Sequence, residues 1–192
     1  MNNNLLNIFI DAVFGKNIVL YYLLGLCPLI LYKTSIKESF VIGTNLTIIM
    51  VVCSFVSVFV NNLLLIPFNL GYLKILFIIL IIYLIIYCGK VLLSKFSPNL
   101  SALFDNYPEF FFTNYALYGA VFLNISFKSR VLPAVLSSFG FGIGYLILTI
   151  IFMAIKEKLR FEQKTTALKN IYLELIILGL ISLVIFSIIG LK

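Results

Sequence analysis

The side chains that could hold a redox group in this 192-residue sequence are three cysteines, Cys27, Cys53 and Cys88. They form no CxxC pair, and three cysteines cannot build a disulfide framework. The sequence contains no histidine, which excludes histidine general-base chemistry and histidine-ligated metal sites in this chain. Thiolate is therefore the only credible redox ligand that the chain can offer.

Cys27 is the most interesting of the three because it follows Gly25 and precedes Pro28, two residue types that can interrupt a helix. Backbone N–H groups freed at such a break could donate hydrogen bonds to a thiolate or to a cluster sulfide. A cluster normally needs four ligands, however, and a lone cysteine in an apolar segment is more often a packing residue. Both interpretations of Cys27 stay open, and we expect packing roles for Cys53 and Cys88.

The remaining polar residues are weaker candidates for chemistry. Four acids are expected near the ends of apolar segments, where they do not indicate an ion site: Asp11, Asp105, Glu109 and Glu174. The small polar residues of the second apolar segment are expected to bond neighbouring helices: Thr44, Asn45, Thr47, Ser54 and Ser57. The glycines at 140, 142 and 144 resemble a nucleotide fingerprint only in spacing, and we expect close helix packing there.

These residues lie in a chain that is 62% hydrophobic and only 11% charged, with a mean hydropathy of +1.16. Soluble domains carry about a quarter charged residues. The composition therefore excludes a soluble enzyme, a nucleic-acid-binding domain and a secreted cysteine scaffold. It predicts an all-α integral membrane protein.

Charge-poor stretches predict where the chain crosses the membrane, because one crossing needs about 20 mainly apolar residues. Six transmembrane helices are predicted, within residues 5–32, 39–60, 68–89, 97–125, 131–155 and 175–191. Residues 61–67 are expected to form a loop. The first and fourth helices are predicted to be broken, the first at Gly25 and Pro28 and the fourth around Pro108 and Thr113–Asn114.

The two breaks fall at similar places in residues 1–96 and 97–192 of what we expect to be a single membrane domain. Each half then has three helices, so the halves must cross the membrane in opposite orientations. Interrupted helices at matching places indicate an inverted repeat with a site near the midplane. The alternative is that proline and glycine merely kink ordinary helices.

The excess of 14 Lys and Arg over 7 Asp and Glu gives a net charge of +7. One set of bases lies in the loops after the first, third and fifth helices: Lys33, Lys37, Lys90, Lys95, Lys156, Lys158, Arg160, Lys164 and Lys169. The smaller, opposite set is Lys74, Lys128, Arg130 and Lys192, with Lys16 ambiguous. The bias predicts cytoplasmic odd-numbered loops and both termini on the outer face. It explains the basic balance without a nucleic-acid partner.

Residues 156–169 are expected to form a solvated cytoplasmic helix end, because acids alternate with the bases there. Contact with anionic lipid headgroups is the alternative.

Several short motifs occur in a familiar order along nearly the whole chain: LLGLCPLI at 23–30, LLLIPFNLGYLKILFIIL at 63–80, SKFSPNLSALF at 94–104, FFTNYALYGAVFLNI at 111–125, AIKEKL at 154–159 and LGLISLVIFSIIGL at 178–191. In these motifs the chain resembles the Rnf–Nqr family. That family includes the A subunit of the Rnf electron-transport complex and the E subunit of the sodium-translocating NADH:quinone reductase.

The resemblance implies six helices in two inverted repeats and a homologous partner subunit of opposite topology. It also implies an iron–sulfur cluster between the two subunits, held by two cysteines from each. Cys27 matches the first family cysteine, whereas Tyr115 occupies the position of the second. Three possibilities follow: a cluster with oxygen or a displaced thiol as a ligand, a cluster-free structural subunit, or a diverged paralogue.

The function implied by the resemblance is that of one membrane subunit, not a complete enzyme, in a complex of the bacterial cytoplasmic membrane. Such a complex passes electrons between flavin-bearing subunits and couples this transfer to sodium or proton movement. The chain has no flavin or nucleotide motif of its own. A small secondary transporter, with a substrate site framed by the two broken helices, is the alternative function.

Overall fold

The computed structural model of the protein describes residues 5–15, 17–22, 24–31, 35–96, 102, 104–126, 130–162 and 167–190, and every regular element in these ranges is helical. Part of the orientation prediction lies outside the described residues, at Lys16, Lys33, Lys128, Lys164 and Lys192. The described helices are labelled α1 to α9 below in chain order.

The first predicted membrane element consists of short pieces. Helix α1 (Leu5–Ile10) continues into one π-helical segment (Asp11–Gly15) and is followed by α2 (Ile18–Tyr22) and α3 (Leu26–Leu31). The break before α3 occurs at Gly25, whose φ of 82° favours glycine. Pro28 is the third residue of α3, in the first turn where proline is tolerated, so the predicted break depends on Gly25 and not on Pro28.

The second and third elements are long helices. Helix α4 (Ile36–Val60) begins with a capping box in which Ser35 and Glu38 bond each other's backbone N–H groups, as this sequence pattern favours. A π-helical segment (Asn61–Leu65) extends it, so the loop expected from residue 61 onwards is wrong up to residue 65. A 3₁₀ turn (Gly71–Leu73) then leads into α5 (Lys74–Phe96).

The second half of the chain repeats the pattern of one interrupted element and two long helices. The interrupted element comprises helical residues 104–106, α6 (Pro108–Phe111) and α7 (Tyr115–Ser126), and it is followed by α8 (Val131–Glu162) and α9 (Ala167–Gly190). Helix α8 continues beyond the predicted end at residue 155, and α9 begins before the predicted start at residue 175. Lys156 and Glu174 therefore lie within helices.

Three described helices are long and apolar enough to cross a membrane: Ile36–Leu65, Gly71–Lys95 and Val131–Lys158. Three shorter apolar helices, Leu5–Gly15, Tyr115–Ile125 and Tyr172–Val184, belong to the other three predicted elements. The chain is thus a helical membrane protein, and two of these three shorter apolar helices belong to the broken elements. Of the three long helices, the one in Val131–Lys158 is the most buried and the one in Gly71–Lys95 the least.

Helices α4 and α8 pack closely and run antiparallel. A Cβ atom on Gly43 would lie 3.2 Å from Leu146 Cγ, and a Cβ atom on Gly142 would lie 2.5 Å from Thr47 Cγ2. The same number of positions separates Gly43 from Gly142 as separates Thr47 from Leu146. The two contacts are therefore equivalent in the two halves of the chain.

The other two glycines of the α8 motif pack against the first element. A Cβ on Gly140 would lie 2.7 Å from Ala12 Cβ, and one on Gly144 would lie 2.6 Å from Asn17 Nδ2 and 3.0 Å from the Val13 carbonyl oxygen. The expectation of close helix packing at these glycines is confirmed. Residues without side chains let the backbone of α8 approach both neighbours.

One end of the bundle gathers charged and phenolic groups. Lys90, near the end of α5, forms an ion pair with Asp105. The Tyr107 phenol lies near the carboxylate of Glu38 at the start of α4 and forms a side-chain hydrogen bond with it. The beginning of α4, the end of α5 and residues 104–107 thus meet at the same end of the molecule.

Candidate functional site at the two helix breaks

The two helix breaks meet each other in the interior. A Cβ added at Gly25 would lie 2.7 Å from both Asn114 Oδ1 and Ala116 Cβ, and 3.0 Å from Tyr145 Cε2. We call these four residues, Gly25, Asn114, Ala116 and Tyr145, the junction. Gly25 belongs to the first break and Asn114 to the second, so the absence of a side chain at Gly25 allows the two breaks to touch.

Tyr145 of α8 connects the two breaks through its hydroxyl group. Asn114 Nδ2 donates a hydrogen bond of 3.1 Å to the Tyr145 hydroxyl, which lies 3.5 Å from the Gly25 carbonyl oxygen. Tyr145 is completely buried. Since it lies midway along the Val131–Lys158 span, the junction is near the middle of that span.

Asn114 holds the two sides of the second break together. Its Oδ1 accepts a 3.0 Å hydrogen bond from the Ala116 N–H, and its Nδ2 also donates 3.2 Å to the Phe110 carbonyl oxygen. Its own carbonyl oxygen accepts from the Leu117 N–H at 3.0 Å. Polar backbone groups at membrane depth must find partners inside the protein, and the Asn114 side chain is the partner of two of them here.

Asn17 has the same arrangement in the first element. Its Oδ1 accepts from the Val19 N–H at 3.0 Å, and its Nδ2 donates 3.0 Å to the Val13 carbonyl oxygen. Each asparagine therefore caps the helix that follows it and bonds a carbonyl four residues earlier. This is an N-cap whose amide also reaches the preceding helical segment.

Aromatic side chains surround the second break. The rings of Phe104 and Phe111 stack with centroids 3.9 Å apart, and the Tyr118 hydroxyl donates a 3.0 Å hydrogen bond to the Phe112 carbonyl oxygen. The Phe112 ring lies 5.5 Å from that of Tyr83 on α5. These contacts fix the backbone just before Asn114.

The two predicted site residues lie beside the junction, and both are exposed on the surface of this chain. Cys27 is in the first turn of α3, two positions after Gly25. Tyr115 is the first residue of α7, between Asn114 and Ala116, and is 59% exposed. The structure therefore places both at the meeting point of the breaks, where groups outside this chain can reach them.

The other two cysteines are not at the junction. Cys53 is fully buried in α4, as expected for a packing residue. Cys88 on α5 is exposed, so the prediction that it packs within this chain is wrong. No group of three or more His, Cys, Asp or Glu side chains suited to a metal occurs among the described residues.

A buried polar cluster, consisting of Ser54, Asn124, Ser137 and Ser138, joins α4, α7 and α8. Asn124 Nδ2 donates to Ser54 Oγ at 3.0 Å and to Ser138 Oγ at 2.6 Å. Asn124 Oδ1 accepts from Ser137 Oγ, and Ser138 Oγ donates to Ser54 Oγ. Ser54 thus bonds neighbouring helices, as expected, whereas Thr44, Asn45 and Thr47 bond carbonyl oxygens of their own helix.

Lys156 is buried, which contradicts the expectation of a solvated helix end at this position. Its Nζ lies 3.0 Å from Glu174 Oε1, and the side chains of both residues are only 9% exposed. The same Nζ donates to the carbonyl oxygens of Leu29 and Ile30, at 3.1 and 3.0 Å. The next lysine on α8, Lys158, is exposed as predicted.

Tyr145, Lys156 and Glu174 are site residues that the sequence does not single out. A tyrosine within an apolar span has no pattern that distinguishes it from a lipid-facing residue. Charge counting puts Lys156 in a loop, because the first charge after an apolar stretch is taken as the end of the span. The ion pair could have been predicted from a lysine at the end of one span and an acid at the start of the next. Two such residues can meet when the connection between their spans is short.

Comparison with known proteins adds to this geometry. A family model described as "Rnf-Nqr subunit, membrane protein" matches residues 5–192. The chain is similar to the A subunit of the ion-translocating oxidoreductase complex of Shewanella pealeana, with 30% identity over 184 residues that cover 96% of each protein. It is similar to the protein of the same name from Sodalis glossinidius, with 30% identity over 189 residues and 98% of each protein.

Proposed function

The chain belongs to the Rnf-Nqr family of membrane subunits, and from this premise we propose that it is a membrane subunit of an ion-translocating oxidoreductase complex. In that role it helps to carry electrons across the bacterial cytoplasmic membrane, coupled to sodium or proton movement. Two relatives that carry this name are similar to the chain over 96% and 98% of their length.

The observation that carries the proposal is the junction of two broken helices near the middle of the α8 span. Irregular backbone at this depth survives only where protein surrounds it or where it lines a cavity. Cys27 and Tyr115 nevertheless project from this junction to the chain's own surface. We infer that another subunit covers this surface, and that it is the homologous partner of opposite topology, with flavin-bearing subunits beyond it.

The equivalent contacts of α4 and α8 support the inverted-repeat architecture. Gly43 meets Leu146 as Gly142 meets Thr47, and the two helices are antiparallel, as a two-fold axis in the membrane plane requires. The proposed architecture therefore has six spans in two three-helix repeats, 1–96 and 97–192. In it the first and fourth spans are the interrupted ones.

The residues at the junction do not fit a cluster held by two cysteines from each subunit. This chain offers one thiol, Cys27, and one phenol, Tyr115, and a phenol is larger than a thiol and a poor ligand in a sulfide cluster. Cys53 is buried in α4 and Cys88 lies on α5, so neither thiol belongs to a broken element. We propose Cys27 as the single iron ligand that this chain contributes.

Iron content and electron paramagnetic resonance of the purified complex test this assignment. Cys27→Ser is expected to abolish or shift the signal of a cluster at the subunit interface, whereas Cys88→Ser, also exposed but on α5, leaves it unchanged. Tyr115→Phe removes the phenol oxygen and keeps the ring, so a changed signal identifies oxygen ligation. An unchanged signal in Cys27→Ser refutes the ligand role but leaves subunit membership intact.

Tyr115 itself favours a second candidate, a cluster-free structural subunit of the same complex. This candidate predicts that Cys27→Ala is tolerated and that Tyr115→Cys changes the iron content little. The small-transporter alternative stays a prediction that co-purification tests. A subunit of a redox complex brings flavin-containing chains with it, whereas a transporter is stable and active alone.

A further inference from the structure

Helix α3, which carries Cys27, is too short to be stable by itself. It has six residues, whereas isolated helices shorter than about 12 residues are marginal even in water. The last carbonyl groups of a helix have no partner within that helix. Within a membrane protein these carbonyl groups need a donor from elsewhere in the protein. The position of that donor then determines the position of the helix end in space.

The donor is Lys156 of α8. Its Nζ contacts the carbonyl oxygens of Leu29 and Ile30, in the last turn of α3, at 3.1 and 3.0 Å. A positive charge at this position also interacts favourably with the negative end of the helix dipole. Thus α3 is attached at both ends, by the close packing of Gly25 at the junction and by Lys156 at the other end.

Glu174 of α9 provides the charge that lets Lys156 be buried here. An ammonium group with 9% side-chain exposure is costly unless it is paired and hydrogen-bonded, and Glu174 Oε1 lies 3.0 Å from it. The ammonium group has three donor hydrogens. Two carbonyl oxygens and one carboxylate oxygen lie within hydrogen-bond distance of it.

We propose that Lys156 is a positioning residue, which holds α3, and with it Cys27, in place beside the junction. This positioning role differs from that of a simple ion pair between α8 and α9, because it requires the contacts of Lys156 with the α3 carbonyls. The consequence of this positioning for electron transfer rests on the proposed function, whereas the positioning of α3 itself does not. The placement of α3 can be measured directly in any preparation of the complex.

Hydrogen exchange of the intact complex in lipid nanodiscs, followed by mass spectrometry, tests the proposal. Lys156→Met keeps an unbranched side chain but cannot donate, and it is expected to accelerate amide exchange in residues 24–31 about tenfold. Lys156→Arg retains charge and donors and is expected to keep the wild-type rate. Lys158→Met, an exposed lysine on the same helix, is the matched control, and residues 115–126 serve as the internal reference.

A charge exchange separates the positioning role from the ion pair. In Lys156→Glu with Glu174→Lys the two opposite charges remain, but a carboxylate at 156 cannot donate to the carbonyls of α3. We expect exchange in residues 24–31 to stay fast in this double variant. Recovery of the wild-type rate would show that the pair alone matters and would overturn the proposal, as would unchanged exchange in Lys156→Met.

A second measurement tests the proposal if the complex with Lys156→Met does not assemble. In Lys156→Arg and in Glu174→Gln, alkylation of Cys27 relative to the exposed Cys88 reports the position of α3 without any electron transfer. We expect Lys156→Arg to match the wild type. We expect Glu174→Gln to change the ratio, because an ammonium group that has lost its charged partner is no longer held against the carbonyls of α3 at this depth. An unchanged ratio in Glu174→Gln, or a changed ratio in Lys156→Arg, would contradict the proposal.

Discussion

Gly25 is the residue on which the geometry of the junction depends most directly. Two independent properties require glycine there: a φ of 82°, and the lack of room for a Cβ between Ala116 and Asn114. Either property alone would make a substitution costly. Together they explain why the first element breaks at this residue and not at Pro28.

Gly25→Ala is therefore expected to lower the stability of the protein by at least about 2 kcal/mol, from backbone strain and from overlap with Ala116. Thermal aggregation midpoints of the purified complex in detergent measure this effect. Gly89→Ala on α5 is the matched control, because a Cβ there meets nothing within 4 Å. Equal midpoints for the two variants would contradict the role given to Gly25.

Asn114 and Tyr145 form the polar part of the junction, and their substitutions should differ in severity. Tyr145→Phe removes one hydroxyl group and leaves Asn114 bonded to Phe110, so we expect a loss of about 1 kcal/mol. Asn114→Leu also removes the cap of α7 and should cost about 2–3 kcal/mol. The same thermal measurement ranks them, and a larger effect for Tyr145→Phe would contradict this assignment.

At the scale of elements, helices α4 and α8 form a closely packed pair, and the broken elements pack against this pair. Gly142 and Gly43 let the two backbones approach, while Gly140 and Gly144 on α8 receive the first element. One helix therefore packs closely against two neighbours by means of glycines spaced two residues apart. Because these glycines lie in packing contacts, we expect substitutions there to change stability.

Gly142→Ala is expected to destabilise the protein by about 1–3 kcal/mol, because the new Cβ would lie 2.5 Å from Thr47 Cγ2. Thr47→Ala in the same chain removes that methyl group and should recover part of the loss. Gly179→Ala on α9, where a Cβ meets nothing within 4 Å, is the control. Thermal midpoints of the single and double variants give the coupling, and additive effects would argue against direct contact.

The sequence predicts the elements better than it predicts their contacts. The position of the first break follows from Gly25 and that of the second from the polar pair Thr113–Asn114, and the packing role of the α8 glycines follows from their place in an apolar span. That Gly25 touches Asn114 could not be predicted, because no local pattern links residues of different elements. The prediction for Lys156 is wrong for a related reason: charge counts end a helix at the first lysine, whereas a buried acid on another helix allows α8 to continue.

At the scale of the whole molecule, the distribution of lysine and arginine predicts its orientation. The start of α4 and the end of α5 lie at one end of the described bundle, as the predicted arrangement requires. From the six predicted spans and the predicted cytoplasmic excess of bases, we expect both termini on the outer face.

Alkaline phosphatase fused after residue 192 should therefore be active, and the same enzyme inserted between residues 163 and 166 should be inactive. Activity of the enzyme in bacterial cells reports which face each position reaches. A green fluorescent protein at the same two positions is the complementary control, because it fluoresces in the cytoplasm. Activity at both positions, or at neither, would contradict a single span between them.

The hydrogen bonds of Asn17 and Asn114 affect how far the interrupted helices can bend. A broken membrane helix is often pictured as a hinge, but Asn17 and Asn114 each fasten the backbone on both sides of an interruption with the same amide group. We therefore expect the interruptions at Asn17 and at Asn114 to resist bending. The break at Gly25 lies eight residues after Asn17, outside the span of the Asn17 hydrogen bonds, so we expect any hinge movement of the first element at Gly25.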